Sequence, residues 1–151
     1  MNLSPHFTME ELTQSQHAAR ACIDNTPTDP AVMDNLHETA QMLEAVREVL
    51  GGHPILVSSG YRCPKLNTLI GSVSTSQHTR GLAVDFTVPA FGTPKQICQH
   101  LIDEGFNFDQ LICEGTWVHM SHAEDRLQMR REVLTAVFEP GMKTRYIKGL
   151  A

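Results

Sequence analysis

Excess basic charge is absent from this sequence. Twelve Lys and Arg stand against seventeen Asp and Glu, a formal net charge of −5. A surface with that balance has no general attraction for phosphate backbones, which argues against a nucleic-acid partner. Aromatic residues make up only 6% of the chain, too few to build stacking platforms for single strands. No apolar run reaches the ~20 residues that a membrane span needs. The N-terminus, Met1-Asn2-Leu3-Ser4-Pro5-His6, lacks a basic n-region and an apolar h-region, so the expectation is a protein made in the cytoplasm without a Sec signal. None of the cysteines, Cys22, Cys63, Cys98 and Cys113, belongs to a C-x-x-C pair, which leaves a structural zinc ribbon unsupported. A chain of 151 residues can bury a core without disulfides, and the thiols are expected to be reduced and mostly buried.

What is present suits one domain spanning residues 1–151, with no repeat and no linker. Thr8-Met9-Glu10-Glu11 reads as a capping box that opens a helix. Asp29-Pro30 opens a second, longer helix with Leu36, Ala40, Leu43 and Val46 at helical spacing, ended by Gly51-Gly52. Ile55 to Ser58 reads as a buried strand, followed by a polar, Gly- and Ser-rich stretch from Ser59 to Gly81. Leu82 to Val88 is the next strand. Thr93-Pro94-Lys95-Gln96 opens a third helix that stops at Gly105. Gln110 to Glu114 and Trp117 to Ser121 read as paired strands around Gly115-Thr116, and Glu132 to Phe138 as a final strand. Helices first, then mostly strands, predict an α+β fold: a small antiparallel sheet flanked by helices.

The strand from Leu82 carries an anomaly. Side chains alternate faces along a strand, so Leu82, Val84 and Phe86 can fill a core. Ala83, Asp85 and Thr87 then face the other way, and Asp85 is a carboxylate with small neighbours. His78 lies in the loop just before, and Gly81 lets that loop turn sharply. The strand from Trp117 repeats the pattern, with Val118 and Met120 on one face and Trp117, His119 and Ser121 on the other. If the two strands share a sheet, His78, Asp85 and His119 can converge. Two imidazoles and a carboxylate are a catalytic zinc set, which leaves one coordination position open. A lone strand histidine is more often a surface or hydrogen-bonded residue; the compatible faces are what raise the metal reading.

Ser76-x-His78-x-x-Gly81-x-Ala83-x-Asp85, followed by Trp117-x-His119, resembles the signature of the zinc D-alanyl-D-alanine peptidases, the hedgehog/DD-peptidase superfamily that includes phage endolysins. Ser59-Gly60-Tyr61-Arg62, with Asn67 and Gly71, resembles the stretch that precedes the family's first ligand. The resemblance runs from about Phe7 onward and points to the short peptidases of phages and prophages. It implies one zinc ion held by His78, Asp85 and His119, and Arg62 steadying the substrate or the oxyanion; a structural pair with a carboxylate is the plainer reading of Arg62. It places Ser76 and Trp117 on the substrate side, Trp117 as a cleft wall or else as core. Related enzymes often carry an acid three residues before the last histidine, where this chain has Thr116. Glu114 is the expected general base in its place, with a solvated turn residue as the plain alternative and His122 as a rival base.

The activity implied is hydrolysis of a peptide bond in peptidoglycan stem peptides, as a D-Ala-D-Ala carboxypeptidase or an endolysin-type endopeptidase. The protein is expected to act as a monomer, in the periplasm or at the cell wall after release by a holin-like route. The alternative is a catalytically inactive zinc-binding module, or a phage structural or partner-binding module, of the same fold.

Overall fold

Capping chemistry sets the helix boundaries in the computed structural model, which describes residues 1–151. Helix α1 (Met9–Thr13) starts where the Thr8 hydroxyl accepts the Glu11 N–H at 3.1 Å. The Glu11 carboxylate reaches back to the Thr8 N–H at 3.3 Å, which completes the capping box. Helix α3 (Pro30–Val49) is capped by Asp29, with Pro30 in its first turn. Helix α5 (Pro94–Asp103) carries a second capping box, Thr93 with Gln96. Two further helices, α2 (Gln16–Arg20) and α4 (Pro64–Leu69), lie where no helix was expected. Each is under two turns long, too short to display an apolar period.

The strands β1 (Leu56–Ser59), β2 (Ala83–Thr87), β3 (Gln110–Cys113), β4 (Val118–Ser121), β5 (Glu132–Val137) and β6 (Arg145–Lys148) form one sheet in the order β1-β2-β4-β3-β5-β6. The expected final strand is β5, but β6 folds back on it. The segment Arg145-Tyr146-Ile147-Lys148 sets two apolar residues between two charges over four residues only, with no alternation to mark a strand. All pairings are antiparallel except β3 with β5. That exception follows from the chain path. Strand β4 ends at Ser121 and β5 begins at Glu132, both beside Gln110, so β5 runs opposite to β4 and therefore with β3.

One face of the sheet is apolar. Val84, Phe86, Leu111, Val118 and Met120 are fully buried there, in one cluster with Leu36, Ala40 and Leu43 of α3 and Ile97 and Leu101 of α5. Truncating a side chain such as Phe86 to Ala in such a core costs about 3–5 kcal/mol. The opposite face carries Asp85 and His119. The cysteines follow expectation only in part. All four are free, but only Cys98 and Cys113 are buried, while Cys22 is exposed in a turn at φ 55°. Burial pushes the Cys98 thiol up to about 12, with the neighbouring Cys113 adding to the shift. No helix is long and apolar enough to cross a membrane.

A buried carboxylate ties the crossover to the loop that holds His78. Asp109, 3% exposed, accepts bonds from Arg130 Nε at 3.0 Å and Nη2 at 2.8 Å, and from the Gln77 amide at 2.8 Å. Burial alone would raise its carboxyl, but the bonds from Arg130 and Gln77 outweigh that and hold it at about 2. A depressed folded-state value contributes stability that is present above the unfolded value and lost as pH falls through the folded one. Urea midpoints should therefore drop between the ordinary value of 3.8 and about 2. The variant Asp109→Asn should lose about 2 kcal/mol at neutral pH and show less of that acid dependence. An unchanged midpoint would mean that the network is not holding the loop.

Candidate metal centre

Strand pairing brings the first two side chains together. Asp85 of β2 stands directly opposite His119 of β4, both on the face away from the core. The third, His78, comes from a 3-10 turn, Gln77–Arg80, whose start is capped by the Ser76 hydroxyl accepting the His78 N–H at 3.3 Å. Gly81 closes that turn at φ 74°, a left-handed conformation that favours glycine, and a Cβ there would meet the Val32 carbonyl at 3.1 Å. His78 then projects inward and is 2% exposed.

Its ring is held by a second glycine. Gly60 packs so tightly on the end of α1 that a Cβ would lie 2.3 Å from the Leu12 carbonyl oxygen. The Gly60 carbonyl accepts the His78 Nδ1–H at 2.7 Å. That bond selects the tautomer and leaves the Nε2 lone pair facing Asp85, as a metal-binding histidine requires.

The potential ligand atoms lie within 4.8 Å of one another. Asp85 Oδ1 is 3.3 Å from His78 Nε2 and 2.9 Å from His119 Nδ1. Donors on a tetrahedral ion with zinc–nitrogen and zinc–oxygen bonds near 2 Å sit roughly 3.3 Å apart, so the two distances from Asp85 and the chemistry of the donors fit such an ion. Burial lowers the His78 pKa, which favours the neutral, lone-pair form. Burial works against the Asp85 charge, but the adjacent imidazoles of His78 and His119 outweigh it and hold its carboxyl well below the usual range. The set is thus two imidazoles and one carboxylate, with the triad beside a cleft of about 880 Å³. That cleft is lined in part by Asp85, Trp117, Val57, Tyr61, Arg62 and Leu66.

Arg62 enters this cleft with its Nε buried and without a partner, and its Nη2 reaches only the Ser76 hydroxyl, at 3.5 Å. No carboxylate lies within ion-pair distance of it, and Asp85 acts on its charge only through space. Ser76 touches both His78 and Arg62 and so links the turn to the cleft. Trp117 is partly exposed and lines the cleft.

Glu114 sits at the tip of the β3–β4 hairpin, where its N–H bonds the Trp117 carbonyl at 3.0 Å. It is half-buried, and burial raises its carboxyl above the ordinary value while His119 and Asp85 act on it through space with opposite signs. Its side chain meets the Tyr146 hydroxyl, 3.5 Å from Oε2, a neighbour unforeseen in the sequence because β6 was not recognised. His122 lies elsewhere. The Thr39 hydroxyl donates to the Gly81 carbonyl at 2.6 Å, so it accepts from His122 Nε2–H at 2.7 Å. That proton holds β4 to α3, and burial lowers the His122 pKa.

The chain matches the family described as Peptidase M15 over residues 5–121, a segment that contains Arg62, Ser76, His78, Asp85, Glu114, Trp117 and His119. No individual curated protein matches the chain.

The donor set makes a direct expectation for metal analysis. Purified protein should carry about one zinc per chain, as a single three-ligand site implies. His119→Ala and Asp85→Ala should each lose most of it, and a chelator should lower the melting temperature of the parent more than that of either variant. Undiminished zinc in His119→Ala would remove this centre from consideration.

Proposed function

The chain belongs to the peptidase M15 family, a family of zinc-dependent peptidases, and from that membership we propose that it cuts a peptide bond in the stem peptide of peptidoglycan. The observation that carries the reading is the convergence of His78, Asp85 and His119 beside an open cleft. When bound, zinc supplies a Lewis acid that polarises the scissile carbonyl and acidifies a water. The chain's own residues do the rest.

Glu114 is the general base in this proposal. Its partial burial keeps the carboxyl closer to the working pH than a solvated glutamate would be. It takes the proton of the attacking water and returns it to the leaving amine. Arg62 offers an uncommitted guanidinium in the same cleft, suited to the negative charge that develops on the carbonyl oxygen or to a carboxylate of the stem. Trp117 and Ser76 border the bound peptide. The small apolar side chains of alanine in the stem suit a cleft walled by Val57, Tyr61, Leu66 and Trp117. The domain works as a single copy, and the substrate's location puts its action at the cell wall.

Purified peptidoglycan and an acyl-D-Ala-D-Ala peptide are the assays, with fragments identified by mass spectrometry. Release of free D-Ala marks a carboxypeptidase, and larger stem fragments mark an endopeptidase. Glu114→Gln should keep its zinc and lose roughly a hundredfold or more in turnover. In the parent, a base must be ionised to act, so kcat/KM should fall as pH drops through a value above the ordinary 4.5 of glutamate. Near-normal turnover in Glu114→Gln would take the base role from this residue. A zinc-loaded parent that cleaves neither substrate would favour a binding module instead.

A further inference from the structure

The hairpin of β5 and β6 lies beyond the matched segment, which ends at residue 121, yet it reaches the candidate site. Its register explains how. Strand β3 pairs with β5 so that Cys113 faces Thr135, and β5 pairs with β6 so that Ala136 faces Tyr146. Continuing the first register by one residue sets Glu114 beside Ala136. Glu114, Ala136 and Tyr146 therefore form one row on the face that carries Asp85 and His119. The row spans two strand spacings, roughly 10 Å, too far for a direct contact between short side chains. The middle residue has only a methyl group, which lets the Tyr146 phenol lean across it. The hydroxyl reaches Glu114 Oε2 at 3.5 Å and is the one side-chain hydrogen-bond partner that carboxylate has. Phe138, at the end of β5, lies over Gly115, where an added Cβ would come within 3.0 Å of the ring. The hairpin thus covers the turn that carries the proposed base.

We infer that Tyr146 is a positioning residue for Glu114: its hydroxyl holds one carboxylate oxygen and leaves the other free to accept the proton of the attacking water. The inference rests on Glu114 being the base. A glutamate at a hairpin tip has three side-chain torsions to fix, and a single donor from a packed strand selects among its rotamers. The 3.5 Å separation is beyond the roughly 2.5–3.0 Å of a formed O–H···O bond, and catalytic contacts of this kind commonly tighten when substrate is bound. Tyr146 is half exposed, so its side chain is not needed to fill the core. Losing the hydroxyl therefore leaves the fold intact.

The test uses the zinc-loaded full-length protein. Tyr146→Phe should lower kcat roughly tenfold, with KM within about twofold and zinc content unchanged. The double variant with Glu114→Gln should be no slower than Glu114→Gln alone, because both remove one device. A second readout needs no turnover. The chain has two tyrosines, Tyr61 and Tyr146, so 13Cζ-tyrosine labelling gives two NMR signals, and the one lost in Tyr146→Phe belongs to Tyr146. Its titration should move to lower pH in Glu114→Gln, since the carboxylate that opposes phenol ionisation is gone. A Tyr146 signal indifferent to Glu114→Gln, or unchanged kcat in Tyr146→Phe beside a crippled Glu114→Gln, would overturn the inference alone. Normal turnover in Glu114→Gln would overturn the base assignment and the inference with it.

Discussion

Asp85 and His119 face each other across β2 and β4, and a slip of one residue in that pairing would turn one of them into the core. Side-chain direction alternates with a period of two, so register and face are one decision. The apolar partners of the same strands make that decision. Val84, Phe86, Val118 and Met120 are fully buried against α3 and α5, and turning out the pair on either strand would cost about 3–6 kcal/mol at about 1.5–3 kcal/mol per side chain. A typical hydrogen bond inside the site contributes less than that. The two strand donors are therefore held in place by the packing on the opposite side of the sheet, and the site itself contributes little to the register.

The third donor has no strand to place it, and the surroundings of His78 show what a loop needs instead. The Ser76 hydroxyl starts the 3-10 turn, Gly81 ends it, and the Gly60 carbonyl fixes the ring. Gln77, next to His78, is anchored to Asp109. The Gly81 carbonyl is bonded by Thr39, which His122 supports in turn. Each bond is worth about 1 kcal/mol net, so the position of His78 depends on their combined action. Within the stretch from Ser59 to Gly81, it is Gly60, Ser76, Gln77 and Gly81 that mount this imidazole.

Features that repeat along the chain were legible in the sequence. The capping box at Thr8, the helix opening at Thr93, the apolar spacing of α3 and the alternation around Asp85 and His119 all reflect local geometry, and the structure reproduces them. Contacts that depend on distant partners were not legible. The role of Gly60 requires α1 behind it, and His122 becomes a strut only because Thr39 lies beneath it. Helices α2 and α4 are shorter than the period that would reveal them. The parallel pairing of β5 with β3 depends on which edge the crossover returns to, and nothing in residues 122–131 specifies that edge. Tyr146 could be placed only after β6 was known to pair with β5.

The displaced carboxylate follows from the same geometry. An acid three residues before the last histidine would fall at Thr116, within the turn. Glu114 is five residues before His119, yet the β3–β4 ladder sets Cys113 against Val118 and Ile112 against His119. Glu114 is two residues beyond Ile112 and so shares its face, which makes it a diagonal neighbour of His119 at a spacing of about 7–8 Å between backbones. A carboxylate reaching from there needs only its own side-chain length to approach the metal donors. In a hairpin, moving the acid toward the first strand while keeping the turn at Gly115-Thr116 exchanges a near position along one strand for a near position across two. The proximity is kept and the residue numbering changes, so under the proposed reading it is strand pairing, not spacing along the chain, that brings Glu114 near His119.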